Sequence, residues 1–188
     1  MDMPRQGLNT ETVIKAAASL VEDNGYKNLT LHKLALKLNI KPASLYTHIS
    51  GIEELYLSLA NLALNQLSAM MTDAARGKRR GNALRAVSAA FCQYVRQNPE
   101  MYQIIMLIPH SHSEELVETG RAVKSILFEI LSQYTDDNGK IIFYSRFYHS
   151  ILHGFVSLDH AGFFDDTVPA DASFMNIIDN FIEQLERI

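Results

Sequence analysis

The sequence predicts an all-α protein in which a small N-terminal head with a helix-turn-helix precedes a larger helical domain. Two observations predict this class: apolar residues recur at helical spacing along most of the chain, and no segment alternates apolar and polar residues as a half-buried strand does. Pro, Gly and Asn punctuate the pattern at the ends of the predicted helices. We therefore expect a three-helix head at residues 1–50 and a second helical domain at residues 51–188.

The first predicted helix begins near Thr10 and ends at Asn24-Gly25, a residue pair that suits a left-handed C-cap. Its apolar residues share one face, so it can support the following segment from behind. The residues before it are predicted to form a flexible arm that either frays or reaches a phosphate or the minor groove through Arg5.

Two short helices separated by a tight turn are predicted between residues 29 and 49. Thr30 can cap the first, over residues 31–38, by accepting a hydrogen bond from a free amide of the first turn. Asn39 tolerates the left-handed backbone that ends this helix. Pro42 suits the first position of the second helix, where its missing N–H costs nothing.

The second of these helices is predicted to expose a surface that fits a DNA major groove. Leu45 and Ile49 take its buried side, which leaves small, hydroxyl and imidazole side chains outside and no acidic group. Small residues allow close approach, hydroxyls can bond base edges, and longer side chains reach phosphates. The expected contacts are Lys41, Pro42, Ala43, Ser44, Tyr46, Thr47 and His48. The alternatives are an ordinary amphipathic hairpin and an adaptor that makes protein contacts only.

The segment 29–55 resembles the N-terminal domain of TetR-family transcriptional regulators, and the similarity extends over about residues 10–60. The resemblance implies that the helix beginning at Pro42 is a recognition helix for double-stranded operator DNA. It also implies that Tyr46 and His48 touch the phosphate backbone.

One position departs from the family pattern, which often has a lysine where this chain has Ile52. Lys33, Lys37 or Lys41 would then have to supply the missing phosphate contact. The resemblance places His32 where a base-contacting residue can sit. Thr30, His32 and Lys33 complete the expected DNA-binding set.

Composition narrows the function further. The formal net charge is −4, but residues 1–48 carry six basic and four acidic residues, hence +2, whereas residues 49–188 carry eleven and seventeen, hence −6. A modestly positive head favours specific docking over general adhesion to phosphates. The single Cys92 excludes an intrachain disulfide and is expected to be a buried, inert thiol. No apolar run approaches the ~20 residues of a membrane span, so we expect a cytoplasmic protein without a membrane partner.

After the head, Ser50 and Glu53 have the spacing of a capping box, and the apolar pattern predicts a long helix. This helix would be the lever between the head and the second domain. It ends in the basic run 76–81, whose two bracketing glycines favour a solvated loop over a second nucleic-acid site.

Four further helices are predicted over residues 82–97, 99–108, 113–134 and 140–163, and a last one carries Phe174 to Leu185. The helix over 140–163 is apolar around nearly its whole circumference, so one side should face its own core and the other a second copy. We expect a homodimer in which the last two helices form an intersubunit four-helix bundle. The expected interface residues are Tyr148, Leu152, Phe155, Phe174, Ile178, Phe181 and Ile182.

Residues 98–102 and 152–162 resemble, more loosely, the C-terminal domains of a TetR subgroup that contains a His-Gly pair. Gly154 of that pair suggests a close helix crossing. An apolar pocket for an unknown small-molecule effector could form among the helices. Its expected lining is Phe91, Tyr94, Tyr102, Met106, Phe128, Phe143, Phe147, His149 and His153, unless these residues are ordinary core.

Catalytic and metal sites are not expected. His149 and His153 have the spacing of a helical metal site that His110 and His112 could join, but no carboxylate or cysteine lies at matching spacing. Ser111, His112 and Glu114 lack a nucleophile elbow, and there is no phosphate-binding glycine loop. We expect no cofactor and no enzyme activity. The sequence favours a repressor that a ligand releases from a palindromic operator, without excluding an activator.

Overall fold

A computed structural model describes residues 8–107, 113–165 and 167–188, and within these ranges the chain forms helices and no strand. The predicted all-α class is confirmed. The α-helices are α1 Thr10–Asn24, α2 Leu31–Leu38, α3 Ile52–Ala75, α4 Arg80–Gln97, α5 Pro99–Ile105, α6 Glu114–Leu131, α7 Asn138–His160 and α8 Ala170–Leu185. Two short 3₁₀ helices are η1, Tyr26–Asn28, and η2, Pro42–Thr47.

The described residues divide into two compact units. The first lies within Met1–Ala63 and Glu100–Val117, and the second within Leu64–Pro99 and Glu118–Ile188. Helix α3 begins in the first unit and ends in the second, so the chain passes between the units through a continuous helix.

Helix caps fix the elements of the first unit where the sequence predicts them. The side chain of Asn9 accepts from the Thr12 N–H at 2.8 Å, and the Thr30 hydroxyl accepts from the Lys33 N–H at 3.2 Å. Gly25 ends α1 with φ of +84°, and Asn39 ends α2 in the left-handed conformation with φ of 54°. The core beneath these elements is apolar and at most 2% exposed: Val13, Ala17, Val21, Leu34, Ala35, Leu45, Ile49, Leu55 and Leu59.

The start of α3 differs in one detail from the prediction. Both the backbone N–H and the hydroxyl of Ser50 donate to the carboxylate of Glu54, not of Glu53. Glu54 lies on the half-buried side of α3, whereas Glu53 faces solvent. The capping interaction therefore exists with a partner one residue later.

Two carboxylates tie α1 and η1 to α5 within the first unit. Glu22 on α1 accepts from the Met101 N–H at 2.9 Å, and Glu100 on α5 accepts from the Tyr26 N–H at 2.8 Å. Glu22 thus accepts from a free N–H in the first turn of α5, and Glu100 accepts from the first N–H of η1. Burial raises the pKa of Glu22, and the negative charge of Glu100 adds to this effect. We call these two hydrogen bonds the carboxylate clasp.

The second unit packs α4 against α7 and α8. Close approach is required at Gly81, where an added Cβ would lie 2.8 Å from Ile182 Cγ2. Tyr148 is buried and shares a 2.6 Å hydrogen bond with the Ser88 hydroxyl. Cys92 is buried here, and burial raises the pKa of its thiol to about 11, which fits an inert role. Within the described part of the chain, no helix has the length and apolar character needed to cross a bilayer.

The carboxylate clasp yields a stability prediction. Glu22→Ala leaves the Met101 amide without its acceptor and should lower the free energy of unfolding by about 1–2 kcal/mol in urea titrations. Glu22→Gln keeps an acceptor oxygen and removes a charge that burial disfavours, so it should retain wild-type stability. The exposed Glu53→Ala is the matched control. Equal losses for the Ala and Gln variants would contradict the assignment.

Candidate nucleic-acid interface

Helix η2 is a short element that is anchored to the apolar core of the first unit by Leu45. Lys41 is extended, and Pro42 then opens the helix at a position where no N–H is needed. The Ser44 N–H donates to the Lys41 carbonyl at 2.9 Å, and the His48 N–H donates to the Leu45 carbonyl at 2.9 Å. Leu45 is fully buried, and this burial holds η2 in a single orientation. In that orientation its other side chains face away from the core.

The 3₁₀ geometry of η2 arranges its outward side chains in rows. A 3₁₀ helix has about three residues per turn, so side chains three apart eclipse each other, unlike those of the α-helix that the spacing suggests. Ala43 and Tyr46 form one row, and Tyr46 is 60% exposed. Ser44 and Thr47 form the other, a row of two exposed hydroxyls. Small side chains thus lie beside one long phenol, which suits a helix that enters a groove and reaches its edge.

The residues of the expected DNA-binding set lie on the surface of the first unit. All are exposed except His48, which is half-buried: Thr30, His32, Lys33, Lys41, Pro42, Ala43, Ser44, Tyr46, Thr47 and His48. Their exposure is what DNA contact requires.

The lysines differ in how far their charges are already engaged. Lys37 lies 3.2 Å from Asp23 and also donates to Ser19, so it is largely neutralised within the head. Lys33 donates to the Asn28 carbonyl at 3.1 Å, which leaves its charge unpaired by an acid. Lys41 has no ion-pair partner among the described residues and adjoins η2. Lys41 therefore carries a charge without an acidic partner among the described residues at the entry to η2.

The residues expected to line an effector pocket are distributed over both units. Tyr102 and Met106 belong to the first unit and the other seven to the second. Within the second unit, Phe143 and Phe147 are 62% and 39% exposed, on a face open to solvent. Phe91 and Tyr94 are buried, and Phe128 is half-buried.

Three members of that set do come together. The rings of Phe91 and His153 meet edge to face at 5.2 Å, and those of His149 and His153 stack at 6.0 Å. His149 Nδ1 lies 2.9 Å from the Ser145 carbonyl, so that nitrogen carries the proton and donates. Burial lowers the pKa of His153 to about 4 and also lowers the pKa of His149. Both imidazoles are therefore uncharged at neutral pH.

The residues expected at a dimer interface lie inside the protomer. Each is at most 6% exposed: Tyr148, Leu152, Phe155, Phe174, Ile178, Phe181 and Ile182. They pack α7 against α4 and α8, and for example Tyr148 and Phe181 lie 5.4 Å apart between ring centroids. Their side chains are consequently not available to a second copy in this conformation.

The outer side of α7 carries an apolar stripe that the helical spacing alone did not single out. It consists of Phe143, Phe147, Ile151, Gly154 and Leu158, which recur every three or four residues. Phe143 and Leu158 are 62% and 43% exposed, and an added Cβ at Gly154 would meet nothing within 4 Å. The close crossing expected at Gly154 is thus absent within the described protomer. The spacing was visible in the sequence, but the side of α7 that faces the core was not.

Metal binding finds no support in the described ranges, where no group of three His, Cys, Asp or Glu side chains is arranged to hold an ion. His110 and His112, suggested as partners of His149 and His153, lie outside the described residues, as do Ser111 and Arg5.

Comparisons with known proteins bear on both units. The family description "Bacterial regulatory proteins, tetR family" matches residues 13–59, and "Tetracyclin repressor-like, C-terminal domain" matches residues 84–181. The uncharacterized HTH-type transcriptional regulator YobS of Bacillus subtilis is 28% identical over 155 residues, which cover 82% of this chain and 81% of YobS. The uncharacterized HTH-type transcriptional regulator Rv0681 of Mycobacterium tuberculosis is 25% identical over 181 residues, covering 96% and 83%.

The fold also has solved counterparts. A protein of unknown function from Rhodococcus sp. RHA1 superposes with a TM-score of 0.87 at 20% identity, over 98% of this chain and 100% of that one. This likeness concerns the fold alone.

The charge of Lys41 leads to a measurable expectation. Lys41→Ala should weaken DNA binding similarly for all sequences and reduce the slope of log affinity against log salt by about one. Arg79→Ala is the matched control, because Arg79 is also exposed and has no ion-pair partner among the described residues. Fluorescence anisotropy over a range of salt concentrations measures both. If Arg79→Ala changed the slope and Lys41→Ala did not, the basic loop would be the DNA contact.

Proposed function

Because the chain belongs to the TetR family and is a DNA-binding transcriptional regulator rather than an enzyme, we propose that it is a repressor released from its operator by a small molecule. In this proposal residues 1–50 bind DNA, and residues 51–188 bind the effector and a second copy of the chain. The protein would act in the cytoplasm, where its operator lies.

The observation that carries the DNA-binding assignment is the outer surface of η2. It combines small residues, hydroxyls and a tyrosine, it contains no acidic side chain, and the burial of Leu45 keeps it turned outward. Acidic groups would repel phosphates, and large side chains would block close approach to base edges. Lys41 at the entry to η2 adds a positive charge.

The apolar stripe on α7 supports a homodimer. Large apolar side chains exposed in a row are disfavoured in water, and a face of this kind typically marks an interaction surface. Gly154 lies in the middle of the stripe and would let two copies of α7 approach closely. A two-fold dimer presents two recognition helices, which fits a palindrome whose half-sites are about 34–36 Å apart.

Effector release would use α3 and the aromatic cluster of Phe91, His149 and His153. Uncharged imidazoles beside an aromatic ring suit a largely apolar ligand with a few polar groups. Helix α3 has 24 residues and leads from the first unit into the second, so a shift at its far end can reach the head. The ligand must favour the released conformation, typically by about 1–3 kcal/mol.

Selection of duplexes from a random-sequence library tests the operator hypothesis with no operator sequence assumed. We expect an enriched inverted repeat that binds two protomers and resists random competitor DNA. Ser44→Ala and Tyr46→Ala should weaken this binding, whereas Ser132→Ala, at an exposed serine of the second unit, should not. The absence of any enriched sequence would contradict DNA recognition, and an enriched site bound by one protomer would contradict the palindrome.

Substitution at Gly154 tests the dimer surface. An added Cβ at Gly154 would meet nothing within 4 Å, so Gly154→Arg should place a bulky charge in the stripe and weaken self-association while the protomer keeps its helical fold by circular dichroism. Gly120→Arg is the control, because Gly120 also lies in a helix with open space at its Cβ position. Sedimentation equilibrium measures the dissociation constants. A Gly154→Arg protein that dimerises like the wild type would place the interface elsewhere.

A further inference from the structure

Thr47 differs from its neighbour Ser44 in how its hydroxyl is used. Thr47 Oγ1 donates its proton to the Ser44 carbonyl, at 2.8 Å, one turn back on the same helix. The Ser44 hydroxyl has no hydrogen-bond partner among the described residues, so it can donate or accept. The two hydroxyls of this row therefore offer different chemistry to a partner.

The bond of Thr47 lies entirely within η2. Donor and acceptor move together when the helix docks, so binding to DNA does not require this bond to break. The β-branched side chain has few accessible rotamers, which helps to hold the hydroxyl in place. With its proton committed, Thr47 Oγ1 presents only lone pairs to solvent.

Base edges in the major groove differ in what an acceptor can bind. Guanine N7 and O6, adenine N7 and thymine O4 are acceptors, and only the exocyclic amines of adenine and cytosine donate. We infer that Thr47 recognises an amino-bearing base, adenine or cytosine, at one position of each operator half-site. This inference rests on the proposed function, since it names the base that one residue of the same surface reads.

A cycle that pairs a protein change with a base change tests the inference. Thr47→Val removes the hydroxyl and keeps the shape, and Thr47→Ser keeps the hydroxyl. Comparison of the sequences selected by wild type and by Thr47→Val identifies the base position that depends on residue 47. We expect adenine or cytosine at this position for wild type and Thr47→Ser, and no preference for Thr47→Val. Thermal unfolding of each variant checks that the head remains folded.

The exocyclic amine is then deleted from the DNA by replacing adenine with purine, or cytosine with 2-pyrimidinone. Wild-type affinity should fall about 3- to 10-fold, the size of one hydrogen bond, while Thr47→Val should bind both duplexes equally. Ser44→Ala should still respond to the amine deletion, because the inferred contact to the amine is made by Thr47 Oγ1 and not by the Ser44 hydroxyl.

Several results would overturn the inference alone. These are an enriched guanine or thymine at the position, an unchanged base preference in Thr47→Val, and an equal loss for both proteins on amine deletion. If the wild-type protein enriches no sequence at all, the proposed function fails as well, and the two failures are thereby distinguished.

Discussion

The burial of Leu45 is the constraint on which the candidate interface depends. Helix η2 has only six residues, too few for its own hydrogen bonds to stabilise it in water. Leu45 and Ile49 are 0% and 2% exposed, and burying side chains of this kind contributes about 1.5–3 kcal/mol each. This packing fixes the rotation of η2 about its axis. The hydroxyl row and the row of Ala43 and Tyr46 face outward for that reason.

The carboxylate clasp is a second constraint on the first unit, in addition to the burial of Leu45. It joins α1 and η1 to α5 through hydrogen bonds between residues 79 and 74 positions apart in the chain. Charged acceptors make stronger hydrogen bonds than neutral ones, but burial of Glu22 opposes its ionisation. The position of the reading surface relative to α5 is therefore held by polar contacts as well as by the apolar core beneath η2.

Local rules made much of this fold predictable from the sequence. The cap at Thr30, the left-handed Asn39 and the position of Pro42 each follow from the chemistry of one residue, and the structure confirms all three. The 3₁₀ form of η2 was not predictable from residue types, because the packing of η2 against α2 is a tertiary contact that the sequence pattern does not define. Glu54 replaces Glu53 as the partner of Ser50 for a similar reason, since the packing of α3 decides which carboxylate reaches back.

The second unit shows what periodicity leaves open. Apolar spacing identifies residues that avoid water but not the surface that covers them. Tyr148 on α7 and Phe181 on α8 are covered by their own protomer. Phe143 and Leu158, which also lie on α7, remain exposed. The pocket residues were predicted by type, and types alone do not determine which side chains converge. Among the described residues, the rings of Phe91, His149 and His153 lie together, and those of Phe143 and Phe147 form a separate pair.

Hydrogen–deuterium exchange of the full chain, with and without a selected duplex, tests the central claim that η2 is the surface that reads DNA. We expect slower exchange on DNA binding in peptides that cover residues 30–50, with little change in the basic run 76–81. If exchange slowed only at residues 76–81 and did not change at η2, the claim that η2 reads DNA would be contradicted. DNA contact would then be assigned to the basic loop.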